Sequence, residues 1–153
     1  LYVDTSVLVA LCTHEAKTAA AGNWYANCTE ELISAAWCFT EFASALGIKQ
    51  RTGQMTVDQA HAAWMQFERI CANDLKLLTV DTSLFHSAAR LTLDPQAGLR
   101  VGDALHLACA MQAKAKGMVS LDAVLMKNAK HFKIKPVPIR HFCPYRVKTE
   151  TPD

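Results

Sequence analysis

The residues best able to do chemistry are acidic side chains at unusual places in the sequence. Asp4 and Asp122 each directly follow a short apolar run that is typical of a buried strand. Glu41 lies in a mostly apolar strip of a predicted helix, and Asp103 opens a helix that is almost entirely apolar. Ionised carboxylates that meet in one pocket repel each other unless a cation neutralises them. All-oxygen ligands suit Mg²⁺ or Mn²⁺ rather than Zn²⁺.

Each of these acids also has a purely structural interpretation. Asp4 can be a plain cap of the following helix, Asp103 is favoured in a first helical turn by the helix dipole, and Glu41 can be the edge of an amphipathic helix. Residues 78–83 repeat the opening pattern of strand, Asp, Thr and Ser almost letter for letter. Local sequence therefore leaves both Asp4 and Asp81 as candidates for a site.

The elements that must position these side chains alternate along the chain. Apolar runs predict strands at 1–3, 32–34, 75–80, 118–121 and 137–139. Helical patterns lie between them, at 7–12, 16–27, 35–50, from 56 onward, 81–93, 102–116 and 123–131. Strands alternating with helices predict one α/β domain, with a parallel sheet covered on both faces. This domain is expected to span residues 1–142, followed by a loose C-terminal tail at 143–153.

Size and composition favour a globular protein that needs no membrane. The chain has 153 residues, of which 51% are hydrophobic and 20% charged, enough for one domain with a real core. No apolar run approaches the roughly 20 residues that span a bilayer, and no signal segment is recognisable, so a cytoplasmic location is expected. The six cysteines form no C-x-x-C pair, which favours reduced thiols over a zinc site. The net charge of +2 permits contact with nucleic acid without requiring it.

Four motifs in order resemble those of a known family. They lie at residues 2–6, at 33–34 with 41–46, at 100–110 and at 119–122. From residue 2 to about residue 142 the chain resembles the PIN-domain ribonucleases, in particular the VapC toxins of type II toxin–antitoxin systems. The most specific motif is 100–110, which is similar to the Asp-Ala-x-x-x-Ala helix of VapC proteins. Ser120 departs from the family, where a Thr is commoner.

The resemblance implies a fold and removes one ambiguity. It implies a three-layer α/β/α architecture with about five short parallel strands in the order 3-2-1-4-5. In that order the strand before Asp81 lies at an edge of the sheet. Two strand spacings put Asp81 about 10 Å from Asp4, which is too far for the two to share a small ion. Asp81 is therefore interpreted as a helix cap.

The resemblance also implies a function, namely metal-dependent hydrolysis of RNA phosphodiesters by Mg²⁺ or Mn²⁺. The catalytic and metal-binding residues would be Asp4, Glu41, Asp103 and Asp122. Ser6 and Ser120 are expected to orient carboxylates or water. Candidates for contact with RNA phosphates are Arg100, Lys114 and Lys116. For His106, three residues after Asp103, a packed and hydrogen-bonded helix histidine is favoured over a proton shuttle.

Partners and rival functions follow from the same resemblance. A VapC-type toxin implies an RNA substrate, a cognate antitoxin that covers the site, and a homodimer formed through helical faces. One alternative is a non-catalytic PIN-like module that binds RNA or protein, which the presence of all four acids disfavours. Another is an Asp-nucleophile phosphatase or receiver-type phosphoryl-transfer protein. The phosphatase normally needs a second Asp two residues after the first, where this chain has Ser6.

Overall fold

The computed structural model describes residues 1–140, so the predicted domain boundary at 142 and the tail at 143–153 lie outside the described residues. The strands are β1 (Tyr2–Val3), β2 (Leu32–Ala35), β3 (Leu75–Leu78), β4 (Gly117–Val119) and β5 (Lys135–Pro136). The helices are α1 (Thr5–Cys12), α2 (Thr18–Asn27), α3 (Cys38–Arg51), α4 (Val57–Asn73), α5 (Thr82–Thr92), α6 (Val101–Gln112) and α7 (Ala123–His131). None of these helices is long and apolar enough to cross a membrane.

The strands form one parallel sheet between two layers of helices. Their order is β3-β2-β1-β4-β5, which confirms the predicted topology. Side chains alternate between the two faces of a strand, so Tyr2 and Met118 pack with α5, α6 and α7. Val3 and Val119 face the opposite way and pack with α1, α3 and α4. The three-layer α/β/α prediction is confirmed.

Parallel strands place their carboxyl ends at one edge of the sheet, where ligands bind in open α/β folds. β1 and β4 are neighbours in the centre, so Asp4 and Asp122, which follow them, lie close together at this edge. β3 is an edge strand, as predicted, and Asp81 beyond it is the N-cap of α5. Its side chain accepts a hydrogen bond from the Leu84 amide at 3.0 Å. The interpretation of Asp81 as a cap is confirmed.

The end of α6 differs from its predicted position. The helix ends at Gln112 rather than at residue 116, and the chain turns at Lys114, whose φ is +51°. Gly117 does not stop the helix but begins β4, where it is buried. A Cβ there would lie 3.2 Å from the Lys135 carbonyl oxygen, so the close approach of β5 explains the glycine.

The last strand lies earlier than predicted. β5 spans Lys135–Pro136 rather than 137–139, and it pairs with the first two residues of β4. A proline is tolerated here because an edge strand need not donate on its outer side. The Val137 amide still donates to the Met118 carbonyl oxygen at 2.8 Å. The predicted proline-containing edge strand is therefore present with shifted bounds.

Candidate active site

All four predicted acids line one cleft at the carboxyl edge of the sheet. Asp4 follows β1, Glu41 comes from the first turn of α3, Asp103 from the first turn of α6, and Asp122 caps α7. The cleft has a volume of about 380 Å³. It also contains Glu15, from the turn between α1 and α2, which no sequence motif indicated. Four separate elements thus bring their carboxylates to one solvent-filled space.

Asp4 is held in place by two serines. One of its oxygens, Oδ2, accepts hydrogen bonds from Ser6 Oγ at 2.5 Å and from Ser120 Oγ at 2.8 Å. Ser6 Oγ in turn accepts from the Leu121 amide at 3.0 Å, and Ser120 Oγ from the Asp122 amide at 2.9 Å. The two serines therefore lie where an orienting role places them, and they tie the end of β1 to the loop after β4.

Asp4 is the N-cap of α1 as well as a residue of the cleft. The Asp4 carboxylate accepts from the Ser6 amide at 3.3 Å, and the helix begins at Thr5. Thr5 is consequently free to donate its hydroxyl elsewhere. It donates to Glu41 Oε2 at 2.6 Å, so a residue beside the first acid orients the second.

His106 links Glu41 to the buried sheet. The histidine is fully buried, and its Nε2 lies 2.5 Å from Glu41 Oε2 and 3.4 Å from Asp4 Oδ1. Its other ring nitrogen, Nδ1, is 2.7 Å from the hydroxyl of Tyr2. The favoured interpretation as a packed, hydrogen-bonded histidine therefore matches the geometry. The sequence did not indicate that the partner is one of the site carboxylates.

Glu41 and His106 each stabilise the charged form of the other. Burial favours a higher pKa for Glu41, but the hydrogen bond and charge of His106, with the Thr5 hydroxyl, lower the pKa overall. Burial favours a lower pKa for His106, but the hydrogen bond to Glu41 and the charges of Asp4, Glu41 and Asp103 raise the pKa overall. The pair behaves as a partly buried ion pair at the floor of the cleft.

Asp103 has the opposite environment. It is half-buried and has no hydrogen-bond donor among residues 1–140. Burial raises its pKa to about 6, with further contributions from the negative charges of Asp122, Asp4 and Glu41, while Arg100 opposes the shift. A half-buried carboxylate with three acidic neighbours, opposed among the described residues by Arg100, is an environment that favours binding of a divalent cation.

The donor set fits a hard divalent cation. Ligand atoms of Asp4, Glu41 and His106 lie within 4.8 Å of one another. Both nitrogens of His106 are already engaged in hydrogen bonds, so it fits as a group that orients a carboxylate rather than as a ligand. Of the four acids, Asp4 and Glu41 belong to this group of ligand atoms, while Asp103 and Asp122 line the same cleft outside it. Carboxylate oxygens are the donors that Mg²⁺ and Mn²⁺ prefer.

Gly102 is a residue whose importance the sequence analysis missed. A Cβ at this position would overlap Oε1 of Glu41 and lie 3.2 Å from the indole nitrogen of Trp37. The Glu41 carboxylate can therefore occupy its present position only because residue 102 has no side chain. The Trp37 N–H is buried and has no hydrogen-bond partner among the described residues. The sequence contains a clue to this contact, because a glycine directly precedes Asp103 in the motif at residues 100–110.

The predicted RNA contacts are not all at the cleft. Arg100 is exposed at the start of α6, three residues before Asp103. The helix ends at Gln112, nine residues or about 14 Å along its axis beyond Asp103, and Lys114 and Lys116 follow that end. They lie next to the beginning of β4, at the edge of the sheet opposite the cleft. The structure therefore separates both lysines from the acids, and only Arg100 remains a candidate near the cleft.

The family of the chain follows from its match to a family model. The model for the PIN domain matches residues 1–131. The chain belongs to the PIN-domain family. PIN domains are generally nucleases that typically use divalent metal ions. A comparison with curated proteins gives no match to this chain.

Three solved structures share the PIN fold of this chain. VapC20 of Mycobacterium tuberculosis, a toxin that cleaves the sarcin–ricin loop, has a TM-score of 0.68 and 15% identity, covering 88% of this chain and 98% of its own. FitAcB from Neisseria gonorrhoeae has a TM-score of 0.67 and 12% identity, with 92% and 99% coverage. PAE2754 from Pyrobaculum aerophilum has a TM-score of 0.63 and 24% identity, with 88% and 81% coverage. At these identities the similarity establishes a common fold.

Proposed function

We propose that this PIN-domain protein is a metal-dependent endoribonuclease and the toxin of a VapC-type toxin–antitoxin pair. The observation that carries the proposal is the convergence of Asp4, Glu41, Asp103 and Asp122 on one cleft. Burial and the charges of the neighbouring acids raise the pKa of Asp103, and a divalent cation would offset both effects. The similarity in fold to VapC20, an RNA-cleaving toxin, supports RNA as the substrate class.

Mg²⁺ or Mn²⁺ held by these four acids would polarise a phosphodiester and lower the pKa of bound water. The protein prepares the site in advance, because Ser6 and Ser120 fix Asp4 while Thr5 and His106 fix Glu41. Such support of the ligating side chains reduces the reorganisation that the reaction needs.

The other two acids differ in how firmly the described residues hold them. Asp103 accepts no hydrogen bond from those residues, so its carboxylate is available to bind the metal ion. Asp122 already accepts from the Leu125 amide through Oδ1, which fixes the side chain at the mouth of the cleft. Arg100, exposed near Asp103, is suited to bind an RNA phosphate. In-line attack by water is expected to give products with a 5′-phosphate and a 3′-hydroxyl.

The test compares wild-type protein with Asp4→Asn on a mixed RNA pool, with Mn²⁺ and again with EDTA. Asparagine keeps the cap of α1 but removes the charge, so cleavage is expected only from wild type with Mn²⁺. Asp81→Asn makes the same substitution in the repeated motif and serves as the matched control, which retains cleavage. Equal cleavage by wild type and Asp4→Asn, or cleavage that survives EDTA, contradicts the proposal. Loss of all cleavage would favour the non-catalytic PIN-like module.

The partners of the proposed toxin are a cognate antitoxin, placing a basic residue near the carboxylates, and a second copy of the chain in a cytoplasmic homodimer. Apolar side chains on and beside α5 and α6 support the dimer: Phe85 is 47% exposed and Val101 is 66% exposed. Surfaces of this kind commonly mark an interface. Light scattering of wild type and Val101→Glu tests it. A monomeric wild type contradicts the dimer.

A further inference from the structure

A second cavity lies beside the acidic cleft, between α1, α3 and α4. Its volume is about 290 Å³. Most of the side chains that line it are polar and uncharged or carry a single positive charge. Those that bear on its chemistry are His14, Lys49, Gln54, Met55, Gln59 and Gln66. Nothing in the proposed cleavage chemistry uses these residues.

The cavity extends the cleft along two helices. Val9 of α1 lines the cleft and Thr13, just after the helix, lines the cavity. On α3 the same change occurs between Glu41 and Lys49, eight residues or about 12 Å apart. The two rims are joined by an ion pair of 2.5 Å between Lys49 Nζ and Oε1 of Glu15, which lines the cleft. A chain bound across the carboxylates can therefore reach this cavity at its end nearest Glu15.

The amide side chains of the cavity are partly fixed and partly free. Gln59 Oε1 accepts a hydrogen bond from the Thr56 amide at 2.9 Å, as part of the capping box of α4. The NH₂ group of Gln59 has no partner among the described residues. Gln66 Nε2 donates to the Leu11 carbonyl oxygen at 3.3 Å, and Gln54 Nε2 donates to a neighbouring hydroxyl at 3.0 Å. Their amide oxygens remain available, so the cavity offers both donors and acceptors.

We propose that this cavity binds an unpaired purine base of the RNA close to the scissile phosphate, an inference that rests on the proposed function. Glutamine pairs with N6 and N7 of adenine, and lysine with O6 and N7 of guanine, so both side-chain types address the same purine edge. Unpaired RNA bases also stack on aromatic rings, a role that suits the exposed His14.

Lys49 neutralises a carboxylate that lies between the cleft and the cavity. Without this lysine, the negative charge of Glu15 would repel an RNA backbone bound at both places. The ion pair offsets that charge and uses one of the three ammonium donors of Lys49, so two remain for the base. An antitoxin peptide is the other conceivable occupant, but amide groups with unfilled hydrogen-bond positions favour a base edge over apolar peptide side chains.

Gln59→Glu is the sharpest test because it preserves the cap. A glutamate at this position still accepts from the Thr56 amide, but its second oxygen cannot donate to a purine. Gln112→Glu makes the same change in charge at the far end of α6 and is the matched control. His14→Ala is a second, independent variant that removes the proposed stacking ring. It keeps the test valid if Gln59→Glu does not fold.

The measurement is binding of fluorescent single-stranded RNA hexamers that differ in one central base. All variants for the binding measurement also carry Asp4→Asn, so that the RNA is not cleaved while binding is measured. In a second measurement, the base preference at the cleavage sites is mapped with protein that retains Asp4. Wild-type residues at the cavity are expected to prefer purines over pyrimidines about tenfold. Gln59→Glu and His14→Ala should remove this preference, whereas Gln112→Glu should keep it.

The outcomes separate the cavity from the nuclease. Purine-selective binding without cleavage by any form of the protein keeps the base site and refutes the proposed function. Cleavage without base preference, or a preference that Gln59→Glu and His14→Ala leave intact, overturns the base site and keeps the nuclease. Loss of antitoxin binding in both variants with an unchanged base preference assigns the cavity to the peptide and also overturns the proposal.

Discussion

Replacing Gly102 by alanine should disable the site without altering any acid. The added Cβ overlaps Oε1 of Glu41 and crowds the indole of Trp37, both of which lie across the contact between α6 and α3. The side chain of Glu41 is more flexible than that of Trp37 and is 26% exposed, so the Glu41 carboxylate can rotate into the cleft. The helices are then expected to stay in place while the carboxylate moves.

The size of the effect follows from what Glu41 loses. Rotation breaks its hydrogen bonds to Thr5 at 2.6 Å and to His106 at 2.5 Å, contacts with a charged group that each contribute a net stabilisation of about 1.5–3 kcal/mol. Alanine returns roughly 0.5–1 kcal/mol of helix stability. We expect a net loss of about 2–5 kcal/mol in unfolding free energy. A misplacement of about 1 Å can reduce the rate roughly 100-fold, which is about 2.7 kcal/mol in the activation barrier.

The assay measures kcat/KM for RNA cleavage, Mn²⁺ affinity by calorimetry, and stability by urea denaturation. Gly22→Ala is the matched control, because it lies inside α2 and a Cβ there meets nothing within 4 Å. It should gain stability and keep full activity. A Gly102→Ala protein with wild-type Mn²⁺ affinity and cleavage would refute the packing argument, whatever its stability.

Three further results are expected. His106→Leu should lower stability by about 1–3 kcal/mol, because the buried Tyr2 hydroxyl loses its partner, and should weaken Mn²⁺ binding 10- to 100-fold in calorimetry. Mn²⁺ affinity should fall as the pH drops through about 6, because protons compete for Asp103; a pH-independent affinity between 5 and 7.5 would contradict this. In the metal-free protein the pKa of Asp103 is raised on folding, so its contribution to stability should increase as the pH falls from 7 towards 4. Asp103→Asn should accordingly raise the metal-free Tm at neutral pH while removing Mn²⁺ binding.

Local patterns in the sequence predicted the α/β class, because short apolar runs that mark strands alternate with helical patterns. The adjacency of β1 and β4, which brings Asp4 close to Asp122, and the convergence of all four acids were implied by the resemblance to PIN domains. Choosing between Asp4 and Asp81 needed the strand order, which came from the resemblance to PIN domains rather than from local sequence. The structure confirms that choice by placing Asp81 beyond an edge strand.

Contacts between residues far apart in the sequence could not be predicted from local patterns. The hydrogen bond from His106 to Glu41 joins residues 65 positions apart, and the overlap at Gly102 depends on how closely two helices cross. Lys114 and Lys116 were named because RNA binding needs basic side chains, and the sequence held no information on which side of the sheet they lie. Both follow the end of α6 that is remote from Asp103 and precede the start of β4.

The spread of the four acids along the polypeptide bears on biosynthesis. Their positions extend from residue 4 to residue 122, and each belongs to a different helix or loop. A nascent chain leaves the ribosome amino end first. An incomplete product that stops before residue 103 lacks two of the four carboxylates, as well as the histidine that orients Glu41. The proposed nuclease activity therefore requires that nearly the whole domain has been synthesised.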